Sequence, residues 1–273
     1  MLIRAGFELT FQFPSPATML LMLLTHPSRQ SSLREPEKFA ATPHVPVEFF
    51  ADHFGNTAGR VNAPAGTITF TNDFVAEDSG APDEQNPSAI QHPVENLPTE
   101  TLVYLLNSRY CEVDAMSSVA WDLFGRTLPG WARVQAICDW CHDHITFDYG
   151  AARSTKSAQD VFYERRGVCR DFSHLAITFC RAMNIPARYA TGYLGDIGIP
   201  PVPYPMDFSA WFEVFLGGRW WTFDARHNTP RIGRILMARG RDATDVALTT
   251  TFGSSTLTGF KVWTDEVKPA KAA

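Results

Sequence analysis

No run in this chain reaches the eighteen or so consecutive apolar residues that a bilayer-spanning helix needs, so no membrane partner is expected. The apolar stretch Met19 to Leu24 is short and follows Arg4, Glu8 and an alternating Phe7-Leu9-Phe11-Phe13 segment, unlike the compact charged start of a secretory leader. Concentrated positive charge is missing as well. The net charge is -5, and the one locally basic run, Arg231 to Arg241, reads as a solvated face. Phosphate neutralisation needs clustered Lys and Arg, so nucleic acid is not an expected partner. Cysteine is sparse at five residues, an odd number without the spacing of a small stapled domain, which points to reduced thiols and a cytoplasmic setting. No acidic loop carries calcium-ligand spacing and no internal repeat stands out. No metal and no cofactor are therefore expected.

Apolar residues are plentiful, 45% of 273, enough to bury a sizeable core and to build two domains. Up to about Val75, alternating stretches at Gly6–Phe13, Ala17–Leu24, Val45–Phe50 and Thr67–Phe74 are separated by Pro, Gly and Asn clusters, the pattern of a small all-β unit over 1–75. Residues 76–98, acidic and rich in proline, read as a linker. Helical patterns then begin at Thr99–Tyr110, Asp114–Phe124 and Trp131–Ile145. The second unit is expected over 99–273, with strand-like Val246–Phe252 and Phe260–Trp263 included and a tail ending in Lys268-Pro269-Ala270-Lys271-Ala272-Ala273.

Within that unit, Arg165-Arg166-Gly167-Val168 is turn-like and gives way to a helical pattern. Phe172, Leu175, Ala176, Phe179, Cys180 and Met183 mark its buried face, and Asn184 closes it before Ile185-Pro186. Cys169 falls on the first turn, where free backbone N–H groups and the helix dipole favour a thiolate, the form that attacks carbonyls. A free cysteine is also commonly a small buried apolar residue, and this reading stands beside the nucleophilic one.

Downstream, Phe208 to Leu216 and Arg219 to Arg226 alternate on either side of Gly217-Gly218, a strong two-residue hairpin signal. With Leu216 opposite Arg219, one face carries Phe208, Ala210, Phe212, Val214, Trp221, Phe223 and Ala225. The other carries Ser209, Trp211, Glu213, Asp224 and Arg226. Positions 209 and 224 become diagonal neighbours about 7–8 Å apart between Cα atoms.

Four stretches resemble the transglutaminase-like superfamily, in particular its bacterial branch of candidate cysteine proteases. They are Gly167-Val168-Cys169-Arg170-Asp171-Phe172-Ser173-His174-Leu175, Asn184 to Tyr189 leading to Gly192-Tyr193, Asp207 to Leu216, and Trp220 to Asp224. The resemblance implies an α+β fold with a papain-like core, a cysteine-bearing helix packed on an antiparallel sheet, preceded by an N-terminal β-sandwich. It also implies a Cys-His-Asp site. By position these are Cys169, residue 209 and Asp224. The family motif is similar to His-Ala-Trp, whereas this chain reads Ser209-Ala210-Trp211, and a hydroxyl is not basic enough to replace imidazole. His227 is the candidate substitute base. An unbroken strand would point it away from Asp224, and a turn at Ala225-Arg226 would bring it back. His174, about 140° round the helix from Cys169, is expected to pack or hydrogen-bond elsewhere.

The expected activity is cysteine-nucleophile amide hydrolysis or acyl transfer on a peptide or protein substrate, through a thioester at Cys169, with Trp211 and Arg226 as substrate-binding residues. The alternative is a peptide-binding module that has lost its imidazole and its chemistry. Cys138-Asp139-Trp140-Cys141-His142 matches a haem-attachment pattern, yet Trp131, Val134, Ile137, Cys138, Cys141 and Ile145 recur at helical spacing, so both thiols are expected in a core. Cys111 and Cys180 read as core positions too. The sequence carries no signal of oligomeric state.

Overall fold

The computed structural model describes residues 1–268. Strands β1 (Leu2–Phe13), β2 (Ala17–Leu21), β3 (Leu33–Glu35), β4 (Ala40–Thr42), β5 (Val47–Ala51), β6 (Thr57–Ala63) and β7 (Gly66–Glu77) come first. The period-2 pattern of β1 puts Ile3, Ala5, Phe7, Leu9, Phe11 and Phe13 inside, each at most 5% exposed. Helices α1 (Val113–Phe124) and α2 (Trp131–His144) follow a short 3₁₀ segment at Thr99–Leu105. Then come β8 (Thr146–Phe147), α3 (Ala158–Glu164), β9 (Arg166–Gly167) and α4 (Cys169–Ala182). The chain closes with β10 (Ala187–Tyr193), β11 (Ser209–Leu216), β12 (Arg219–Phe223), β13 (Ile235–Gly240), β14 (Thr249–Phe252) and β15 (Thr256–Glu266).

Two sheets make the sandwich, ordered β15-β1-β7-β3 with β4 also on β7, and β14-β2-β6-β5. The assignment of the last strands to the second unit is corrected here. β15 runs antiparallel to β1 along most of its length and β14 pairs with β2, so the C-terminal segment returns to complete the β-rich unit. Residues 269–273 of the expected unit lie outside the described residues.

The second unit is a four-stranded antiparallel sheet, β12-β11-β10-β13, with α4 across one face. Ala210, Phe212, Val214, Trp221 and Phe223 pack with α4 as the alternation indicates. Phe208 departs from it. It precedes β11 and packs towards the sandwich, 6.0 Å from Phe7 between ring centroids, while Tyr193 meets Phe74 at 5.5 Å. One buried face was expected for α4, but every residue from Asp171 to Ala182 is buried, because α1, α2 and α3 cover the sides the sheet leaves open.

Both ends of α4 are set locally. At the start, the Asp171 carboxylate accepts the Val168 N–H at 3.0 Å and two bonds from Arg170. Gly167 makes room for it, since a Cβ there would lie 2.6 Å from the Asp171 Cβ. At the end, Asn184 takes φ 62°, the Ile185 N–H reaches the Cys180 carbonyl and the Asn184 N–H the Arg181 carbonyl, both at 2.9 Å. The hairpin turn has Gly217 at φ 58° and Gly218 at φ 84°, and the register runs Leu216 to Arg219 through Phe212 to Phe223. Cys138, Cys141, Cys111 and Cys180 are all buried in the core around α4. Among the described residues no helix is long and apolar enough to cross a membrane.

Candidate functional site

Cys169 is the first residue of α4 and remains part-exposed at a cavity of about 180 Å³. His227, Arg226, Ser209, Asp207 and Tyr149 share the lining. Burial pushes the Cys169 thiol up to about 11. Arg226 and the Ala210 backbone N–H act against that rise, and Asp207 adds to it. Burial thus favours the protonated sulfur, and a neighbouring base able to take the proton would promote attack.

The chain stops being a strand at Phe223. The Asp224 Oδ1 accepts the backbone N–H groups of Arg226 at 3.1 Å and His227 at 3.0 Å, and the Asn228 N–H closes on the Asp224 carbonyl at 2.8 Å with Asn228 at φ 51°. This turn swings His227 back, and its Nδ1 donates to Asp224 Oδ2 at 2.8 Å. A carboxylate only accepts, so the neutral ring carries its proton on Nδ1 and leaves Nε2 as an acceptor. Asp224 does not itself line the cysteine cavity. It sits behind His227, 7% exposed, and also accepts from Arg234 Nη2 at 2.9 Å. Burial alone would raise its pKa, but Arg234 and the His227 hydrogen bonds prevail and hold this carboxyl well below the usual range. Three contacts tie the turn to α2, among them Asn228 Nδ2 donating to Asp139 Oδ1 at 2.9 Å. His142 Nδ1 donates to the Arg226 carbonyl at 2.8 Å, and Gln135 Nε2 to Asn228 Oδ1 at 2.9 Å.

Ser209 lies on the cavity with a buried hydroxyl that has no hydrogen-bond partner among the described residues. The Arg226 guanidinium stacks on Phe147, 3.7 Å from its ring centroid. Trp211 is not at the cysteine. It is 2% exposed, packs with Ala190 and Leu236 on the far side of the sheet and has Arg234 5.0 Å from its ring, so its assignment as a substrate contact is withdrawn. Glu213 points the same way and pairs with Arg188 at 2.6 Å and Arg239 at 3.1 Å. His174 is fully buried, with Nε2 accepting the Ala243 N–H at 3.1 Å. Among the described residues no imidazole hydrogen-bonds to the Cys169 sulfur, and no group of three His, Cys, Asp or Glu side chains is arranged to hold a metal.

The sequence model of the transglutaminase-like superfamily matches residues 119–225. A crystal structure of a candidate cysteine protease from Cytophaga hutchinsonii superposes with a TM-score of 0.84 at 31% identity, covering 100% of this chain and 92% of that one. The chain belongs to the transglutaminase-like superfamily. An uncharacterized protein of Mycobacterium leprae is 33% identical over 117 residues, 42% of each chain. Another, from Mycobacterium tuberculosis, is 28% identical over 218 residues, 71% of this chain and 68% of that one. The match therefore spans less than half of the first curated relative's length.

Ser209 stands where the family's Cys-His-Asp pattern has its imidazole, and His227, three residues after Asp224, lines the cavity. Arg234 went unrecognised in the sequence. The run from Arg231 was read as a solvated face, yet Arg231 is 4% exposed and the Arg234 side chain 7%. The irregular segment from Pro230 to Arg234 carries them inward, a long-range placement with no local signature.

Proposed function

We propose that the protein is a cysteine-nucleophile enzyme acting on peptide or protein substrates by amide hydrolysis or acyl transfer, with Cys169 as nucleophile and His227 as base. The observation that carries this reading is the Asp224-held imidazole lining the same cavity as the Cys169 sulfur. In the first half-reaction His227 Nε2 takes the thiol proton as the sulfur bonds to the substrate carbonyl carbon. The protonated imidazole then gives that proton to the leaving amine as the C–N bond breaks, and a thioester remains. In the second half, water or an amine attacks the thioester, passes a proton to His227, and the proton returns to the departing sulfur. Backbone N–H groups at the head of α4 are donors that would stabilise negative charge developing on the carbonyl oxygen. Asp224 keeps the ring in the tautomer that makes Nε2 basic, and Arg234 keeps Asp224 ionised.

A binding module without turnover is the second reading, favoured by the thiol being held protonated by burial. p-Nitrophenyl acetate separates the two. The enzyme reading requires turnover that disappears in Cys169→Ala and an acetylated Cys169 visible by intact mass; the module reading requires neither. Adding lysine methyl ester at fixed acylation rate then divides hydrolysis from transfer by the ratio of acetate to acetyl-lysine formed.

A further inference from the structure

Arg231 lines the cavity that holds Cys169 and His227, and it is 4% exposed. Its neighbour Arg234 is neutralised from two sides, by Asp83 and by Asp224, each at 2.9 Å. Arg231 is not. Its Nη2 donates to the Gly195 carbonyl at 2.9 Å, its buried Nε has no partner, and among the described residues no carboxylate forms an ion pair with it. None of the nearby acids forms an ion pair with it: Asp83 accepts the Arg231 backbone N–H at 2.9 Å while its charge faces Arg234, Asp224 pairs with Arg234 and His227, and Asp196 accepts the Val202 N–H at 2.8 Å. The like charges of Arg234 and Arg226 bear on Arg231, opposed by the carboxylates of Asp224, which pairs with Arg234, and of Asp196. A buried cation without a counter-ion is costly, and such a group on a cavity wall is completed by an anion brought from outside. Leu194, Ile199, Val202 and Met206 give part of the wall apolar surface, which strengthens a charge pair formed against it, while Asp196 and Asp207 line the same cavity and confine an incoming anion to the Arg231 side.

We propose that Arg231 determines specificity in this cavity by binding a carboxylate that the substrate carries near its scissile carbonyl, so that carboxylate-bearing peptides are taken in preference to neutral ones. This rests on the cysteine-nucleophile reading above. The guanidinium presents a planar fork suited to a carboxylate, and of its donors Nη2 is held by the Gly195 carbonyl.

Maleimides test this without a known substrate. N-maleimido-acetate, -propionate and -butyrate are compared with their primary amides, and the second-order rate of Cys169 labelling is read by mass spectrometry in the full chain. At one tail length or more, the carboxylate-to-amide rate ratio of the wild type should exceed that of Arg231→Gln by about tenfold, with Arg231→Lys between them. Equal ratios in wild type and Arg231→Gln at every length overturn the proposal, and so does a ratio that collapses in Arg226→Gln but not in Arg231→Gln. If Arg231→Gln fails to fold, the wild-type ratio is set against that of glutathione: about tenfold higher supports the assignment, equality removes it. Failure of all six probes to label Cys169 defeats the cysteine-nucleophile reading and this inference with it, whereas labelling at unchanged ratios defeats only the role of Arg231.

Discussion

Replacing Asp224 with Asn keeps the side chain's size and removes its charge. The carboxylate accepts from two backbone N–H groups on Oδ1, and from His227 Nδ1 and Arg234 Nη2 on Oδ2. An amide that preserves the backbone pair turns its own NH₂ towards two other donors. Breaking a buried ion pair typically costs about 3–5 kcal/mol. Arg234 keeps Asp83 at 2.9 Å, which places Asp224→Asn at the lower end, about 3 kcal/mol at pH 7. For a chain of this size that is a fall in Tm of roughly 6–12 °C. Turnover should drop about 10³–10⁴-fold, because the ring loses the acceptor that sets its tautomer. The pH dependence has a definite sign. The folded carboxyl is held below its unfolded value of about 4, so its contribution is complete above that pH and lost as pH falls towards the depressed folded value. Urea denaturation across pH should therefore show a gap between wild type and variant that is constant from about pH 5 to 8 and narrows below about pH 4. A variant within about 1 kcal/mol of wild type at pH 7, or a gap that widens on acidification, would refute the reasoning.

Ser209→Ala removes a buried hydroxyl that has no partner among the described residues, so it should leave turnover intact and stabilise by up to about 1 kcal/mol; a collapse in turnover would give Ser209 a chemical role. His174 is fully buried and burial drives its pKa down, so below about pH 6.5 the unfolded chain gains a proton that the folded one refuses. Wild type should lose about 1.4 kcal/mol more per pH unit than His174→Phe between pH 6 and 5 in urea titrations, and parallel slopes would contradict that account. Trp211→Phe should lower stability by about 1–3 kcal/mol through lost packing while KM for any peptide substrate stays unchanged; a selective rise in KM would restore Trp211 to the binding surface.

Much of the site was legible because it rests on local rules. The Asn184 end and the Cys169 start of α4 follow from periodicity and capping, and Gly217-Gly218 with its flanking alternation sets the β11–β12 register. The sequence leaves the orientation of His227 between two readings, an unbroken strand or a turn at Ala225-Arg226, and the structure has the turn. Strand alternation points it the wrong way, and only the capture of the Arg226 and His227 N–H groups by Asp224 reverses it. An aspartate followed by residues free to turn, with Asn228 able to take positive φ, is the one local signal that could have shown this. β15 pairing with β1 joins opposite ends of the chain, and alternation within a strand says nothing of its partner. Arg231 and Arg234 were misjudged for a similar reason: their charge suggested solvent, and the carboxylates that draw Arg234 inside come from residues 83 and 224.

The central claim is that His227 takes the proton from Cys169. Its most direct test is the single-turnover acetylation rate of Cys169 by p-nitrophenyl acetate, followed by intact mass in wild type, His227→Ala and His227→Ala with added imidazole. The account predicts a loss of about 10²–10⁴-fold in the variant, with partial recovery as imidazole enters the vacated space. An unchanged acetylation rate in His227→Ala would contradict it.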